Sequence, residues 1–284
     1  MNGTSAAMTG STNLLGWTLR GAAGVALIPM IVVTVWIWFG WSRPSPVLVL
    51  EGFQMYLLAP AWVILIATLA TRQWALAVPA VFVAVSHLLF CLPAATADSV
   101  PPWASDAPTM TVFVANVRYG NPRADELARD VMASNADVVV LNETTPAIRD
   151  ALRAAGTSDR YPTRVHVEGR PFGETLMTRL PATDAGVEVL GGQRVPAATV
   201  TVGDRQVRVY SVHVNAPKSS AQRHIWRRNL DGIGGSAEAA GDVPHLYAGD
   251  FNSAPWHGPY RRLLARGLTD AHDAAVARRI LTAP

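Results

Sequence analysis

The stretch LYAGDFNSAPW, residues 246–256, sets a short apolar run, Leu246-Tyr247-Ala248, directly before Gly249-Asp250-Phe251-Asn252. A carboxylate and a carboxamide therefore stand two apart at the point where a strand should end. Two readings compete. Asp and Asn favour turns, because their side chains bond nearby backbone amides. Alternatively, the strand tip presents an acid and a polar helper to a phosphate. The stretch alone does not choose between them.

The same pattern recurs upstream. The β-rich run 109–117 ends near Asn116. The run ADVVVLNE is continuously apolar, which predicts a strand buried on both faces, and it ends at Glu143. The run VRVYSVHVN ends at His213 and Asn215. Between these lie helical patterns at 122–135, 146–155 and 219–233, and a last one at 258–266. Further strands are expected at 161–167, 174–178, 186–190 and 197–202. Helices and strands alternate first and strands then follow one another, which predicts an α/β protein whose sheets are not purely parallel. Each strand-end residue has an ordinary alternative: Glu143 could cap the helix beginning near Thr145, His213 could be a core histidine, and Asn116 could start a turn. Four such residues, each after an apolar strand, are better explained by convergence on one mouth. Oxygen donors with one His and no Cys suit Mg²⁺ or Mn²⁺ better than zinc.

Composition divides the chain. Only 16% of the 284 residues are charged, against about a quarter in ordinary soluble proteins. From Gly16 to Ala97 the charged residues are Arg20, Arg43, Glu51 and Arg72, and after Asp98 charges are dense. The net charge of +3 names no partner, and Lys218 is the single lysine. One cysteine, Cys91, excludes an internal disulfide and any cysteine zinc site.

Three apolar runs fill the first part, at about 18–41, 47–70 and 74–96. Each is long enough to cross roughly 30 Å of hydrocarbon as a helix, and Trp36, Trp38, Trp41 and Trp74 sit near run ends, as interfacial aromatics do. The expectation is a membrane domain of three transmembrane helices over 1–97, a Pro-rich linker over 98–108, and a second domain over 109–284. Arg20 and Arg72 against Arg43 orient the chain with its N-terminus inside and its soluble half extracellular or periplasmic. Glu51 is expected at headgroup level, and His87 is expected to bond a neighbouring helix.

The stretches VANVRYGNP, VVVLNET, RVYSVHVNAP and YAGDFNSAPW occur in the order found in the endonuclease/exonuclease/phosphatase superfamily, and the chain resembles a membrane-anchored bacterial member of it. GETLMTRLP is similar to the family's central strand. The resemblance covers roughly 110–270 and settles the opening choice in favour of chemistry. It implies a four-layer α/β sandwich, two packed mixed β-sheets flanked by helices, that hydrolyses phosphodiesters or phosphomonoesters with Mg²⁺ (or Mn²⁺). By motif, it implies Glu143 and Asn116 as metal ligands. It implies Asp250 orienting or activating water, Asn252 bonding a phosphate oxygen and His213 donating to the phosphate as charge develops. Asn215, Arg118, Arg223 and Arg227 complete the candidate set as substrate contacts.

Where the family continues with an Arg-x-Asp-His strand and a final Ser-Asp-His, this chain ends at VARRILTAP. The resemblance therefore implies a sandwich lacking its last strands and its general base, with weak or no turnover. His272 and Asp273 stand in the reverse order and too early to replace it. Arg223 and Arg227 share one helix face, which fits either a nucleic-acid backbone or a solvated stripe. The shared motifs leave nucleic acid, a phospholipid head group and a sugar phosphate open as substrates. The expected partners are that phosphate ester and the lipid bilayer, with no obligate protein partner. The rival functions are a non-catalytic membrane-anchored binding protein and a small transporter.

Overall fold

The computed structural model describes residues 5–41, 45–95, 107–169 and 173–271. All but the last two residues of the 98–108 linker, together with His272 and Asp273, lie outside the described residues. Two compact units emerge. One comprises residues 1–98, 254–261 and 269–284, and the other residues 99–253 and 262–268.

In the first unit, helices α1 (Ser5–Phe39), α2 (Ser45–Gly52), α3 (Gln54–Leu58), α4 (Pro60–Ala70) and α5 (Trp74–Ala95) pack around Leu27, Met30, Leu58, Ala61, Ala80 and Val83. Trp17–Phe39 and Trp74–Leu92 are long and apolar enough to cross a membrane by length and composition. The middle run differs from expectation. It is not one helix but three pieces, and its continuous apolar part, Gln54–Ala70, is shorter. The break between α3 and α4 falls at Pro60, which has no N–H to continue the ladder. Pro29, by contrast, sits inside α1. The Glu51 side chain is fully buried, as is that of Gln54. His87 does meet a neighbouring helix, accepting from Trp62 Nε1 at 3.1 Å through Nδ1.

The second unit holds β1 (Val112–Asn116), α6 (Ala124–Ser134), β2 (Val138–Thr144), α7 (Pro146–Ala154), α8 (Thr157–Arg160), β3 (Thr163–Val167), β4 (Gly173–Thr178), β5 (Ala182–Leu190), β6 (Gln193–Val202), β7 (Arg205–His213), α9 (Ser220–Glu238) and β8 (His245–Asp250). The last helix, α10, covers Gly258–Leu264. The strands form two four-stranded sheets, ordered β1-β2-β4-β3 and β5-β6-β7-β8. Both are mixed, with β1–β2 and β7–β8 parallel and the remaining pairs antiparallel.

Strand β2 shows how the layers arise. Its residues alternate between two apolar environments. Val138 and Val140 face a core shared with Ala198, Val200, Val209 and Ala248 of the second sheet. Val139 and Leu141 face Ala128 and Val131 of α6 and Ile148 and Leu152 of α7. Each of these four β2 side chains is fully buried, worth roughly 1.5–3 kcal/mol for a residue of this size. A strand buried on both faces cannot alternate polar and apolar, which is why it reads as an unbroken apolar run. Trp226, Leu230 and Ile233 bury one side of α9. The result is two packed mixed sheets with flanking helices.

Candidate functional site

Strands β1, β2, β7 and β8 end together, and antiparallel β4 begins at the same place. Asn116 pairs with Asn142 in register, and His213 pairs with Asp250. The cleft that opens there, about 460 Å³, is lined by Glu143, Glu174, His213 and Asp250 on its strand-end floor. Asn215 and Asn252 also line it, with Lys218, Gln222, Ile225 and Asn229 along one wall.

The backbone is bent to aim these groups. A β-bulge separates Asn142 from Thr144, and Glu143 takes a left-handed φ of 62° at that point. A bulge re-aims one side chain out of the strand's alternation, at a conformational cost of about 1–3 kcal/mol for a non-glycine. Arg118 and Asn252 also have positive φ, 56° and 46°. Gly249 is required for close approach: a Cβ there would lie 1.9 Å from the Val212 carbonyl oxygen and 2.8 Å from Asn142 Oδ1. The two sheets are pinned across that gap, where the Asp250 amide donates to Asn142 Oδ1 at 2.8 Å.

The polar groups form one network. Asn116 Nδ2 donates to Glu143 Oε1 at 3.0 Å and to Asp250 Oδ2 at 2.9 Å, bracketing the two carboxylates. Its Oδ1 accepts from the Arg118 amide at 3.1 Å. Glu143 Oε2 accepts from the Tyr119 amide at 3.1 Å. The cap of α7 is Thr145, which accepts from the Ile148 amide, so Glu143 is not that helix's cap. His213 Nδ1 meets Glu174 Oε1 at 2.9 Å, and Nε2 lies 3.8 Å from Glu143 Oε1. Asn142 Nδ2 donates to the other Glu174 oxygen. Asp250 Oδ1 accepts from the Asn252 amide at 2.8 Å, and Asn252 Nδ2 donates to the Val214 carbonyl at 2.9 Å.

Burial works against a charged imidazole at His213. Bonded Glu174, with Asp250 and Glu143 nearby, outweighs it and raises the His213 pKa above the ordinary 6.5. Burial likewise pushes the Glu174 carboxyl up, against His213 and Asn142. The protonated imidazole is thereby extended towards higher pH, as a donor aimed into the cleft.

Among the described residues no three His, Cys, Asp or Glu side chains form a ready cation cage. The donors that converge are two carboxylates bracketed by a carboxamide. That set fits a hard ion of the Mg²⁺ type, which takes one or two carboxylates and completes its shell with water and substrate oxygens.

The structure brings Asn116, Glu143, His213, Asp250 and Asn252 into one network and places Asn215 on the cleft wall. Arg118, Arg223 and Arg227 are not among the lining residues. The wall residues of α9 and its approach are Lys218, Gln222, Ile225 and Asn229, separated by four, three and four positions. One residue turns a helix by about 100°, so a face carrying Gln222 carries Arg223 and Arg227 away from the cleft. Sequence reading missed Glu174 and Asn142. The sequence signal was weak, since Asn142 stands beside Glu143 and Thr144 in β2 and Glu174 shares β4 with two threonines; only their burial shows that each needs a partner.

Two packed mixed sheets with flanking helices, and a polar cleft at the strand ends of both, define the class. Within it, the chain belongs to the Endonuclease/Exonuclease/phosphatase family, whose pattern matches residues 114–283. Among solved structures, sphingomyelinase C from Streptomyces griseocarneus is similar at 23% identity and TM-score 0.45, covering 56% of this chain and 70% of that one. A β-hairpin deletion mutant of beta toxin from Staphylococcus aureus is similar at 17% identity and TM-score 0.46, covering 56% and 72%. Humanized TDP2 of D. rerio carrying 14 mutations is similar at 18% identity and TM-score 0.45, covering 59% and 70%. No curated protein matches the chain at a significant level.

Proposed function

We propose that the chain is a membrane-anchored, Mg²⁺- or Mn²⁺-dependent phosphoesterase. The observation that carries this is the Asn116 bracket, which holds the Glu143 and Asp250 carboxylates together beside His213. Glu143, and Asn116 through its Oδ1, would hold the cation, which when bound supplies charge stabilisation to the phosphoryl oxygens. Asp250 orients the attacking water, held in place by the Asn252 amide and Asn116 Nδ2. Asn252, whose Nδ2 already donates to the Val214 carbonyl, would offer its remaining Nδ2 hydrogen to a phosphate oxygen. His213, whose protonated form Glu174 favours, donates to the phosphoryl group as negative charge grows, an interaction strongest in the transition state.

Residues 1–97 are proposed as the anchor, multi-pass, with 109–284 as the catalytic domain outside the cell or in the periplasm. Outward-facing Val63, Ile66 and Val78, each about two-thirds exposed or more, support a lipid-facing surface on these helices.

The test is hydrolysis of bis(p-nitrophenyl) phosphate by the full chain in detergent. Turnover is expected with Mg²⁺ or Mn²⁺ and none after chelation, and Glu143→Gln should lower kcat by about 10²-fold or more. The size of kcat reads separately the expectation of weakened turnover. Turnover indifferent to chelator or to Glu143→Gln would exclude this reading.

A further inference from the structure

Once Arg223 and Arg227 are turned away, the cleft has a distinctive charge balance. Three carboxylates, Glu143, Glu174 and Asp250, line it against two basic side chains, His213 and Lys218. His213 belongs to the phosphate end. A nucleic-acid strand needs a groove of Lys and Arg following its backbone, and among the described residues this wall offers one lysine. It offers instead a stripe of α9 that is polar and largely uncharged. Asn229 is tied at both ends: Oδ1 accepts from the Asn215 amide, and Nδ2 donates to the Gly191 carbonyl at 3.0 Å. Asn215 Nδ2 is spent on the Ala216 and Gln222 carbonyls. The Gln222 side chain makes no hydrogen bond among the described residues, although it lines the cleft. Its amide sets a donor and an acceptor side by side, the pairing that neighbouring hydroxyls match. One turn on, Ile225 is 38% exposed and offers an apolar surface to the carbons between them.

We infer that Gln222, with Ile225 beside it on α9, grips the alcohol portion of the substrate, and that this portion is small, uncharged and hydroxyl-bearing, a polyol or sugar on a single phosphoester. The inference rests on the phosphoesterase reading for the phosphate end only. Lys218 answers the one charge the ester carries, and Gln222 selects the hydroxyls. A lipid head group and a soluble ester can both present this chemistry.

The experiment uses the full chain in detergent with Mg²⁺ and compares kcat/KM for p-nitrophenyl glycerol phosphate, bis(p-nitrophenyl) phosphate and an oligothymidylate. The glyceryl ester is expected to be preferred, and Gln222→Leu should reduce its advantage over the diaryl ester by about tenfold. Gln222→Glu, similar in shape, should do the same and covers a leucine variant that fails to fold. Adding phosphatidylglycerol in mixed micelles identifies the source: preference for it indicates a lipid head group, and preference for the soluble ester a free one. Calorimetry provides a second readout, with glycerol phosphate binding more tightly than inorganic phosphate and Gln222→Leu erasing the difference. Preference for the oligothymidylate, or equal binding of glycerol phosphate and inorganic phosphate, overturns the inference. Selective binding without turnover of any ester sinks the phosphoesterase reading and leaves this one standing.

Discussion

At the scale of single residues, the His213–Glu174 pair decides how the cleft responds to pH. His213 titrates above the ordinary histidine value because carboxylates surround it despite burial. A pKa raised in the folded state contributes stability that is complete below the unfolded value, about 6.5, and is lost as pH rises through the folded value. Glu174, also raised by burial, has the same sign. Glu174→Gln removes the bonded anion, so the His213 titration followed by NMR and the alkaline limb of the pH–rate profile should both move to lower pH. A His213 titration that does not move would refute the coupling. His213 was visible in the sequence as the end of an apolar strand. Glu174 was not singled out, because a carboxylate inside GETLMTRLP acquires meaning only when β4 lies antiparallel beside β2 and delivers it to His213 and Asn142.

At the scale of elements, the far end of the first sheet is held by Asp137. Its Oδ2 accepts from the Thr111 amide at 2.7 Å and from the Thr111 hydroxyl at 2.8 Å. Its Oδ1 accepts from Arg179 Nε at 3.0 Å and Nη2 at 2.8 Å. One side chain thus ties the starts of β1 and β2 to the end of β4. Burial raises the Asp137 pKa, but the Thr111 and Arg179 bonds outweigh it and hold the carboxyl below the usual range. Here the sign is opposite: the contribution is present above about 3.9 and fades as pH falls through the depressed value. Asp137→Asn should destabilise the fold by about 2 kcal/mol at neutral pH. Its melting temperature should also fall less than the wild type's on acidification, as differential scanning calorimetry would show. Equal acid sensitivity in both proteins would remove Asp137 from this role. Element positions were largely legible beforehand, since every expected strand and helix of the second unit is present within a few residues. The rotation of α9 was not. Spacing put Arg223 and Arg227 on one face, but only the buried Trp226, Leu230 and Ile233 show which way that face turns.

At the scale of the whole molecule, the proposed anchor predicts behaviour in a cell fraction. The full chain should stay in the membrane pellet through an alkaline carbonate wash and leave it with detergent. Protease added outside intact spheroplasts should digest the 109–284 domain. Release by carbonate would reduce the apolar helices to a peripheral attachment. Composition motivates this proposal, because a stretch from Gly16 to Ala97 with four charged residues has little to offer water. Periodicity announced the α/β order, because side-chain alternation and helical spacing are local properties of the chain. The sequence also determined which residues stand at strand ends. Tertiary structure alone decided that Asn116, Glu143, Glu174, His213 and Asp250 meet, since their contacts cross strands and sheets far apart along the chain. The break of the middle apolar run at Pro60 is local, since proline lacks the N–H, whereas the burial of Glu51 was decided by packing that hydropathy does not show.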